Sequence, residues 1–511
     1  MKRFPWLTSR KKTAPELPYE PPIWFGNHSN GEYFHYATRR DRKIRRAILD
    51  TAAENARKVG MDRRDFLASA MGMATSLLVL NSVTGCGEDE KPEGRANFCV
   101  PKEAALDPDL ANFTMRGNEF IFDIQTHWFK SSDLDKFAIY RQSFPGLFDR
   151  LTEDYYVRSI FCESDTTMVA LSSWPGIQCL PGREACGLPL SNESNVASRD
   201  HINGLVNSQR VVSHCQVMAQ DNDGVEGQLR IMEQMVEHDI VAWKLYPGFR
   251  IYQAFAMTDD LGRKVIEKGI ELGVKLFCIH KGLPIGTVFD VDHGNHPRDI
   301  GVIAKDYPDA KFIIYHSAYA SGSATTNEAP PEGPFDPNDP NPKGSNALIK
   351  SLLDNGICPN QNVYAEVGSA LNRVLTDPTM AAHFFGKLMK YVGTDNVCWG
   401  TDCAIYGSPQ QFIEPFRNLE IPESMQEEFG YPPLDAEQKA KIFGLNAAKP
   451  YKVDPTEIRN ALQTCPSAAL KREADEELGP RRWVFEEPNG PKDWDEFVEH
   501  TRESEAVGRP G

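Results

Sequence analysis

No stretch of the 511 residues offers the ~20 consecutive apolar residues a bilayer requires, so the sequence shows no membrane-spanning helix. Positive charge is also in deficit: 56 Lys and Arg stand against 72 Asp and Glu, a net charge of −16. A phosphate-binding surface needs clustered Lys and Arg, which excludes nucleic acid as the main partner. Cysteine is sparse, eleven in all, too few for a disulfide scaffold at this length. Most lie in apolar contexts such as Phe277-Cys278-Ile279 and Val397-Cys398-Trp399, as small buried hydrophobes. Cys179 and Cys186 are close together in a Gly/Pro-rich loop and could pair in an oxidising compartment.

The charge that is there is uneven. Residues 1–60 hold 13 Lys/Arg against 6 Asp/Glu, which puts +7 there and −23 on the rest. This basic extension (1–60) opens irregular and Pro-rich, and Arg39–Lys58 reads as a basic helix. A signal-type segment (61–86) follows. Met61-Asp62-Arg63-Arg64-Asp65-Phe66-Leu67 resembles a twin-arginine export signal, and the weakly apolar run Ala68–Val83 is too short to span a bilayer. Val83-Thr84-Gly85-Cys86 resembles a lipobox, which makes Cys86 a lipidation candidate and implies a lipid anchor. These resemblances imply the twin-arginine export machinery as a partner and a location in the periplasm or cell envelope. Residues 87–116 read as a polar linker.

From Phe120 onward, short apolar runs alternate with helical patterns. Strands are expected at 119–126, 167–172, 211–218, 240–245, 274–280, 311–316, 362–367 and 396–402. Helices are expected near 133–152, 199–208, 224–238, 259–272, up to about 306, 345–355 and 379–391. Eight strands alternating with helices imply a parallel sheet. The fold class is therefore α/β, a (β/α)8 TIM-type barrel over residues 117–452 of ~250-residue type with insertions, carrying a disordered N-terminal leader and a C-terminal extension. Loops 173–198 and 318–344 follow strands two and six and lie on the catalytic face. The extension, 453–511, has a helical pattern near 455–476. It wraps the barrel or a neighbouring subunit, and a homo-oligomer is expected.

Polar residues gather where strands end. Phe120 to His127 is an apolar strand in which Asp123, Gln125 and His127 fall at every second position, the spacing of one strand face. Strand four carries Lys244, strand five His280, strand six His316 and strand eight Asp402. All these ends converge on one face of a barrel, and imidazoles with a carboxylate suit zinc or another divalent metal. His214, inside strand three, either reaches this cup as a substrate-binding residue or belongs to the core. Lys244 either anchors a substrate carboxylate, becomes a carbamylated bridging ligand, or forms a structural ion pair. Glu366 either orients a ligand or makes an ion pair inside the barrel. His201, His238, His293, His296 and His383 fall in loops or helices and carry no functional expectation.

Asp-x-Gln-x-His on strand one, Lys244-Leu245-Tyr246-Pro247, Ile279-His280, Tyr315-His316 and Trp399-Gly400-Thr401-Asp402 together resemble the amidohydrolase-related family, in its aminocarboxymuconate-semialdehyde decarboxylase-like branch. The closing stretch Lys439–Tyr451 resembles that family's C-terminal signature. The resemblance covers about residues 117–452. It implies one divalent metal ion, zinc by expectation, held by Gln125, His127, His280 and Asp402, with His316 beside it. The family's first strand-one histidine is Gln125 here. Gln125 ligates weakly, contacts substrate, or marks a lost site. The resemblance further implies a hydrolase acting on a small-molecule carbonyl, ester, amide or lactone. The metal would lower the pKa of a bound water toward ~7, Asp402 would act as ligand and general base, and His316 would stabilise charge on the carbonyl. The alternatives are a non-oxidative decarboxylase of an unsaturated or aromatic acid on the same barrel, and a metal-free binding protein.

Overall fold

Eight short strands run parallel around a barrel: β1 (Phe122–Thr126), β2 (Met168–Leu171), β3 (Val211–Val217), β4 (Ala242–Leu245), β5 (Leu276–His280), β6 (Lys311–Tyr315), β7 (Val363–Glu366) and β8 (Val397–Cys398). The computed structural model describes residues 20–25, 28–29, 34–35, 37–84, 95–130, 151–174, 187–219, 224–248, 254–283, 293–320 and 333–478. The strands pair in sequence order from β1 to β8. Backbone bonds close the ring between the ends: Ile124 N–H to Trp399 O (3.1 Å), Asp402 N–H to Gln125 O (2.9 Å) and His127 N–H to Cys403 O (2.7 Å). This is the (β/α)8 barrel expected from the alternation of elements, with strand boundaries within a few residues of those read from sequence.

The barrel forms because almost every strand residue is buried on one side or the other, the pattern of a parallel sheet covered by helices. Phe122, Met168, Cys278, Ile313 and Tyr315 fill the interior. Their alternating neighbours, such as Val169, Phe277, Phe312 and Ala365, pack outward against the helices. Tyr451, at the end of helix Asn446–Tyr451, enters the interior and meets Phe122 edge-on at 5.0 Å. Each such fully buried side chain contributes ~1.5–3 kcal/mol of burial free energy.

The helices fall close to expectation, with differences. The helix after β2 is Asn192–Val206, earlier than 199–208; Ser191 caps it by accepting from Ser194 N–H. The helix expected at 133–152 lies outside the described residues, apart from its last positions, as do Cys179, Cys186, Cys86, parts of the loops at 173–198 and 318–344 (175–186 and 321–332), and the tail beyond 478. Helices Pro455–Thr464 and Pro466–Leu478 match the pattern read near 455–476.

The N-terminal part corrects the expectation of a disordered leader wherever it is described. The basic helix is present as Arg39–Val59. Thr38 and Asp41 cap it reciprocally, and Gly60 ends it in the left-handed region at φ 69°. The twin arginines Arg63 and Arg64 open a short helix, Arg63–Leu67, and the apolar run forms helix Ala70–Thr84. Ile44, Ile48, Ala52, Phe66, Leu77 and Leu80 are fully buried and belong to the same apolar cluster as the outer face of the barrel. Asp41 pairs with Arg373 at 3.1 Å and Arg40 with Asp377 at 2.7 Å. Residues 95–115 are likewise not a tether: Lys102–Ala105 and Pro108–Met115 are helical, and Asn81 exchanges two 2.8 Å hydrogen bonds with the backbone of Phe98. The physical reason is apolar area: helix Arg39–Val59 buries one face, and helix Ala70–Thr84 is buried on almost all sides as far as Leu80. Among the described residues no helix is long and apolar enough to cross a membrane.

Candidate metal-centred active site

The first strand does not present Asp123, Gln125 and His127 to one face. The pairing of β1 with β2 shifts register between Asp123 and Thr126. Such a bulge re-aims the side chains that follow it. Phe122 and Ile124 point into the barrel, Asp123 points outward, and after the irregularity Gln125 and His127 both reach the cup. Asp123 accepts from the Thr401 backbone N–H (3.0 Å) and from the Thr401 hydroxyl, so it fastens the end of β8 to β1. Burial pushes its carboxyl up to about 7, against those hydrogen bonds.

Gln125, His127 and Asp402 come together. Gln125 Nε2 donates to Asp402 Oδ1 at 3.0 Å, and His127 Nε2 lies 3.0 Å from the same oxygen. All three are fully buried. Ser369 Oγ donates to the other carboxylate oxygen of Asp402, and the Tyr406 hydroxyl lies 3.1 Å from Ser369 Oγ. Burial opposes the charge on Asp402. The hydrogen bond and charge of His127, the charge of His316 and the Ser369 hydroxyl outweigh it and hold the carboxyl below its ordinary range.

Two orphaned acceptors mark this spot. His127 Nδ1 lies 2.8 Å from Ser172 O, a carbonyl that only accepts, so Nδ1 carries a proton. In the neutral ring Nε2 is then a lone pair facing a carboxylate oxygen, two acceptors at 3.0 Å. A cation, either a second proton or a metal ion, relieves that repulsion. Gln125 Oε1 is buried without a hydrogen-bond partner among the described residues. An amide is readily turned over at fixed atom positions, which would put Oε1 beside Asp402 Oδ1. Imidazole nitrogen, carboxylate oxygen and amide oxygen therefore fit a divalent ion. Among the described residues no three His, Cys, Asp or Glu side chains converge on one point, so the donor set is a His–Asp pair completed by an amide.

His280 is tied into a second group. Its Nδ1 lies 3.2 Å from His316 Nε2, and the rings meet edge-on at 4.7 Å. His316 Nδ1 is 2.9 Å from Gly368 O and must donate there. Its Nε2 is then an acceptor, and His280 Nδ1–H is the donor between the rings. Strand alternation would turn His316 away from the interior. A left-handed backbone at His316 (φ 60°), continued through Ser317 and Ala318, brings the ring back. Ser369 and Asp402 are left-handed as well, so unfavourable backbone conformations collect at the ends of β6 to β8. Glu366 holds this turn: its carboxylate accepts from His316 N–H (2.8 Å) and from Gly368 N–H. Gly400 is needed there because a Cβ would strike the Glu366 carboxylate.

Lys244 Nζ lies 3.3 Å from the Tyr315 ring centroid and 4.6 Å from that of Tyr246, a buried cation–π contact. Tyr246 in turn lies 5.2 Å from the His280 ring. Burial drives His316 down to about 4, with Asp402 opposing and Lys244 reinforcing. Burial, His316 and Lys244 hold His280 well below its ordinary value. Burial pushes Glu366 up to about 8. Lys244 and the Asp402 carboxylate are thus the charged groups of the cup, set among neutral imidazoles and, at Glu366, a carboxyl that resists ionising.

His214 sits a layer deeper. Its Nε2 meets the Tyr451 hydroxyl at 2.9 Å with the rings stacked, and burial, then Lys244 and His127, push it down to about 3. Its ring is thus held by Tyr451 inside the barrel. Sequence reasoning assigned no role to Ser369, Thr401, Tyr246 or Gln216. Strand alternation carried on from His214 would have pointed to Gln216, and Tyr246 lies inside the quoted Lys-Leu-Tyr-Pro stretch. Nothing local marks Ser369.

Residues 208–453 match the sequence model of the family described as Amidohydrolase, a span that takes in β3 to β8 with Lys244, His280, His316 and Asp402. A search of curated proteins gave no match. Among solved structures the chain is similar to 5-carboxyvanillate decarboxylase from Sphingomonas paucimobilis (14% identity, TM-score 0.40, 66% of this chain and 100% of that one). It is also similar to a dihydroxybenzoic acid decarboxylase from Polaromonas with bound manganese (16%, TM-score 0.40, 65% and 97%). A third is 2,6-dihydroxybenzoate decarboxylase from Rhizobium (13%, TM-score 0.37, 65% and 99%). The matched span covers six of the eight barrel strands, and over it the chain is similar to the amidohydrolase family.

Proposed function

We propose that this protein is a metal-dependent enzyme acting on a small organic acid, and that non-oxidative decarboxylation suits its cup better than hydrolysis. The observation that carries this is the state of Asp402. Hydrolysis needs a base with a spare lone pair to take a proton from water. Here one Asp402 oxygen faces His127 and would be the one that ligates the ion, the other receives Ser369, and the carboxyl is held below its ordinary range. Such a group is a good ligand and a poor base.

Decarboxylation asks for a bound anion, somewhere for an electron pair to rest, and a proton. Lys244, buried over Tyr315, supplies the fixed positive charge that draws the acid in. His127, Asp402 and Gln125 would hold the divalent ion, whose charge would stabilise a substrate oxygen. The carbon–carboxylate bond breaks with its electron pair left on an unsaturated carbon skeleton, carbon dioxide leaves, and a proton returns to that carbon. The His280–His316 pair would relay that proton from solvent, holding it only in passing. A proton on either ring is strongly acidic, because burial and Lys244 both disfavour the imidazolium.

The test is to load the purified protein with Mn²⁺ or Zn²⁺ and offer panels of aromatic and unsaturated acids, esters and lactones. Metal-dependent release of carbon dioxide, lost in Lys244→Met, is the expected result. Ester or lactone hydrolysis without carbon dioxide would restore the hydrolase reading. A metal-free protein inert to every acid would overturn both.

A further inference from the structure

We propose that Gln216 is a specificity-determining residue of the cup. Its amide oxygen takes a hydroxyl or amino hydrogen-bond donor on the same organic acid whose anionic group lies at Lys244. This deepens the reading of an acid substrate and rests on it.

Three observations converge on Gln216. The first is direction. On β3, Val212 and His214 pack with the barrel interior, while Cys215 and Val217 pack outward. Alternation therefore aims Gln216 inward, one layer nearer the strand ends than His214. The second is level. Gln216 is the register partner of Lys244 on β4. Neighbouring strands are ~4.8 Å apart, so the two side chains leave adjacent strands side by side. The third is satisfaction. Gln216 is 2% exposed, and its Oε1 has no hydrogen-bond partner among the described residues. A buried amide oxygen without a donor is costly.

The rest of Gln216 is held firmly. Asn192, at the start of helix Asn192–Val206, accepts from Gln216 N–H at 2.8 Å and donates to Gln216 O at 3.0 Å. Both backbone groups are thus clamped by one side chain, and the amide's place is set by strand and helix. The cup then offers a cation at Lys244 and, beside it, a neutral acceptor that a ligand lacking a donor would leave unpaired. Sites of this kind reject the analogue without the donor far more strongly than an apolar pocket rejects an added group. The ligand class is an acid carrying a hydroxyl or amino group close to its anionic end.

Binding isotherms of Mn²⁺-loaded protein with benzoate and its 2-, 3- and 4-hydroxy derivatives test this. Wild type should bind one hydroxy isomer at least ~10-fold more tightly than benzoate. Gln216→Leu should erase that preference and leave benzoate affinity within a few-fold; Gln216→Met, which keeps the length of the side chain without the acceptor, should erase it likewise whether or not the leucine variant folds. Lys244→Met should weaken all four acids together. Lys244-dependent binding with the isomer preference intact in Gln216→Leu or in Gln216→Met overturns the role of Gln216 alone. Binding indifferent to Lys244→Met, or no binding by wild type, overturns the acid-substrate reading beneath it.

Discussion

Asp123 stands two residues before Gln125, yet its oxygens are spent on Thr401 and the backbone of Gln125, outside the cup. It acts on the site only through position, because Thr401 adjoins Asp402. Asp123→Ala would leave the Thr401 N–H buried without an acceptor, a loss of about 1–3 kcal/mol, and would loosen Asp402. The folded protein raises this carboxyl to about 7, so it holds the proton more tightly than the unfolded chain does. That contribution to stability is complete below ~pH 4, where both states are protonated, and is lost as pH rises toward about 7. Asparagine does not titrate. The stability of wild type minus that of Asp123→Asn should therefore fall from acid to neutral pH and level off beyond it. Urea midpoints at pH 5 and pH 8 measure this, and equal differences at the two values would show that Asp123 holds no proton of consequence.

Among the elements, the helices from Arg39 to Thr84 differ most from what their residues suggest. An apolar run of Ala, Met, Leu and Gly after two arginines has the composition of an export signal and equally that of a core helix. Local sequence does not separate the two, because the deciding partners, Arg373 and Asp377, lie some three hundred residues away. The barrel was legible for the opposite reason: each strand announces itself by a short apolar run between helical patterns, and eight in a row leave few alternatives. The ends of β5 and β8 were legible as polar residues closing apolar runs. The bulge in β1 and the left-handed turn at His316 were not, since an alternating Asp-x-Gln-x-His reads as regular strand and no glycine flags the turn. Cleavage ahead of Cys86 would strip Phe66, Leu77 and Leu80 from the barrel and expose the surface they cover. A chain lacking residues 39–84 should therefore fail to accumulate in soluble form. Arg373→Met, which leaves the Asp41 carboxylate with Thr38 but without its counter-charge, should cost about 3 kcal/mol by urea denaturation. A truncated barrel with the urea midpoint of the full chain would show that these helices rest on the barrel without supporting it.

At the scale of the whole molecule, the balance of charge decides which ion the cup prefers. Outside the basic N-terminal sixty residues the protein is strongly acidic, which favours cations near it in general, but the cup itself is lined by Lys244 and buried imidazoles. An ion enters only where Asp402 and the two orphaned acceptors outweigh that field. One nitrogen and two oxygens form a harder donor set than two imidazoles and a carboxylate, so this site should discriminate less strongly in favour of Zn²⁺ over Mn²⁺ than a histidine-rich one. Gln125→His supplies the missing imidazole. It should tighten Zn²⁺ by at least ~10-fold more than it tightens Mn²⁺, read by competition against a chromophoric chelator. Because the ion binds only the folded barrel, either metal at a hundred times its Kd should stabilise the wild type by ~2.7 kcal/mol. That gain should vanish in His127→Ala and Asp402→Ala. Equal tightening of both ions by Gln125→His would mean that position 125 lies outside the coordination sphere. Stabilisation that survives His127→Ala would move the ion away from β1 altogether.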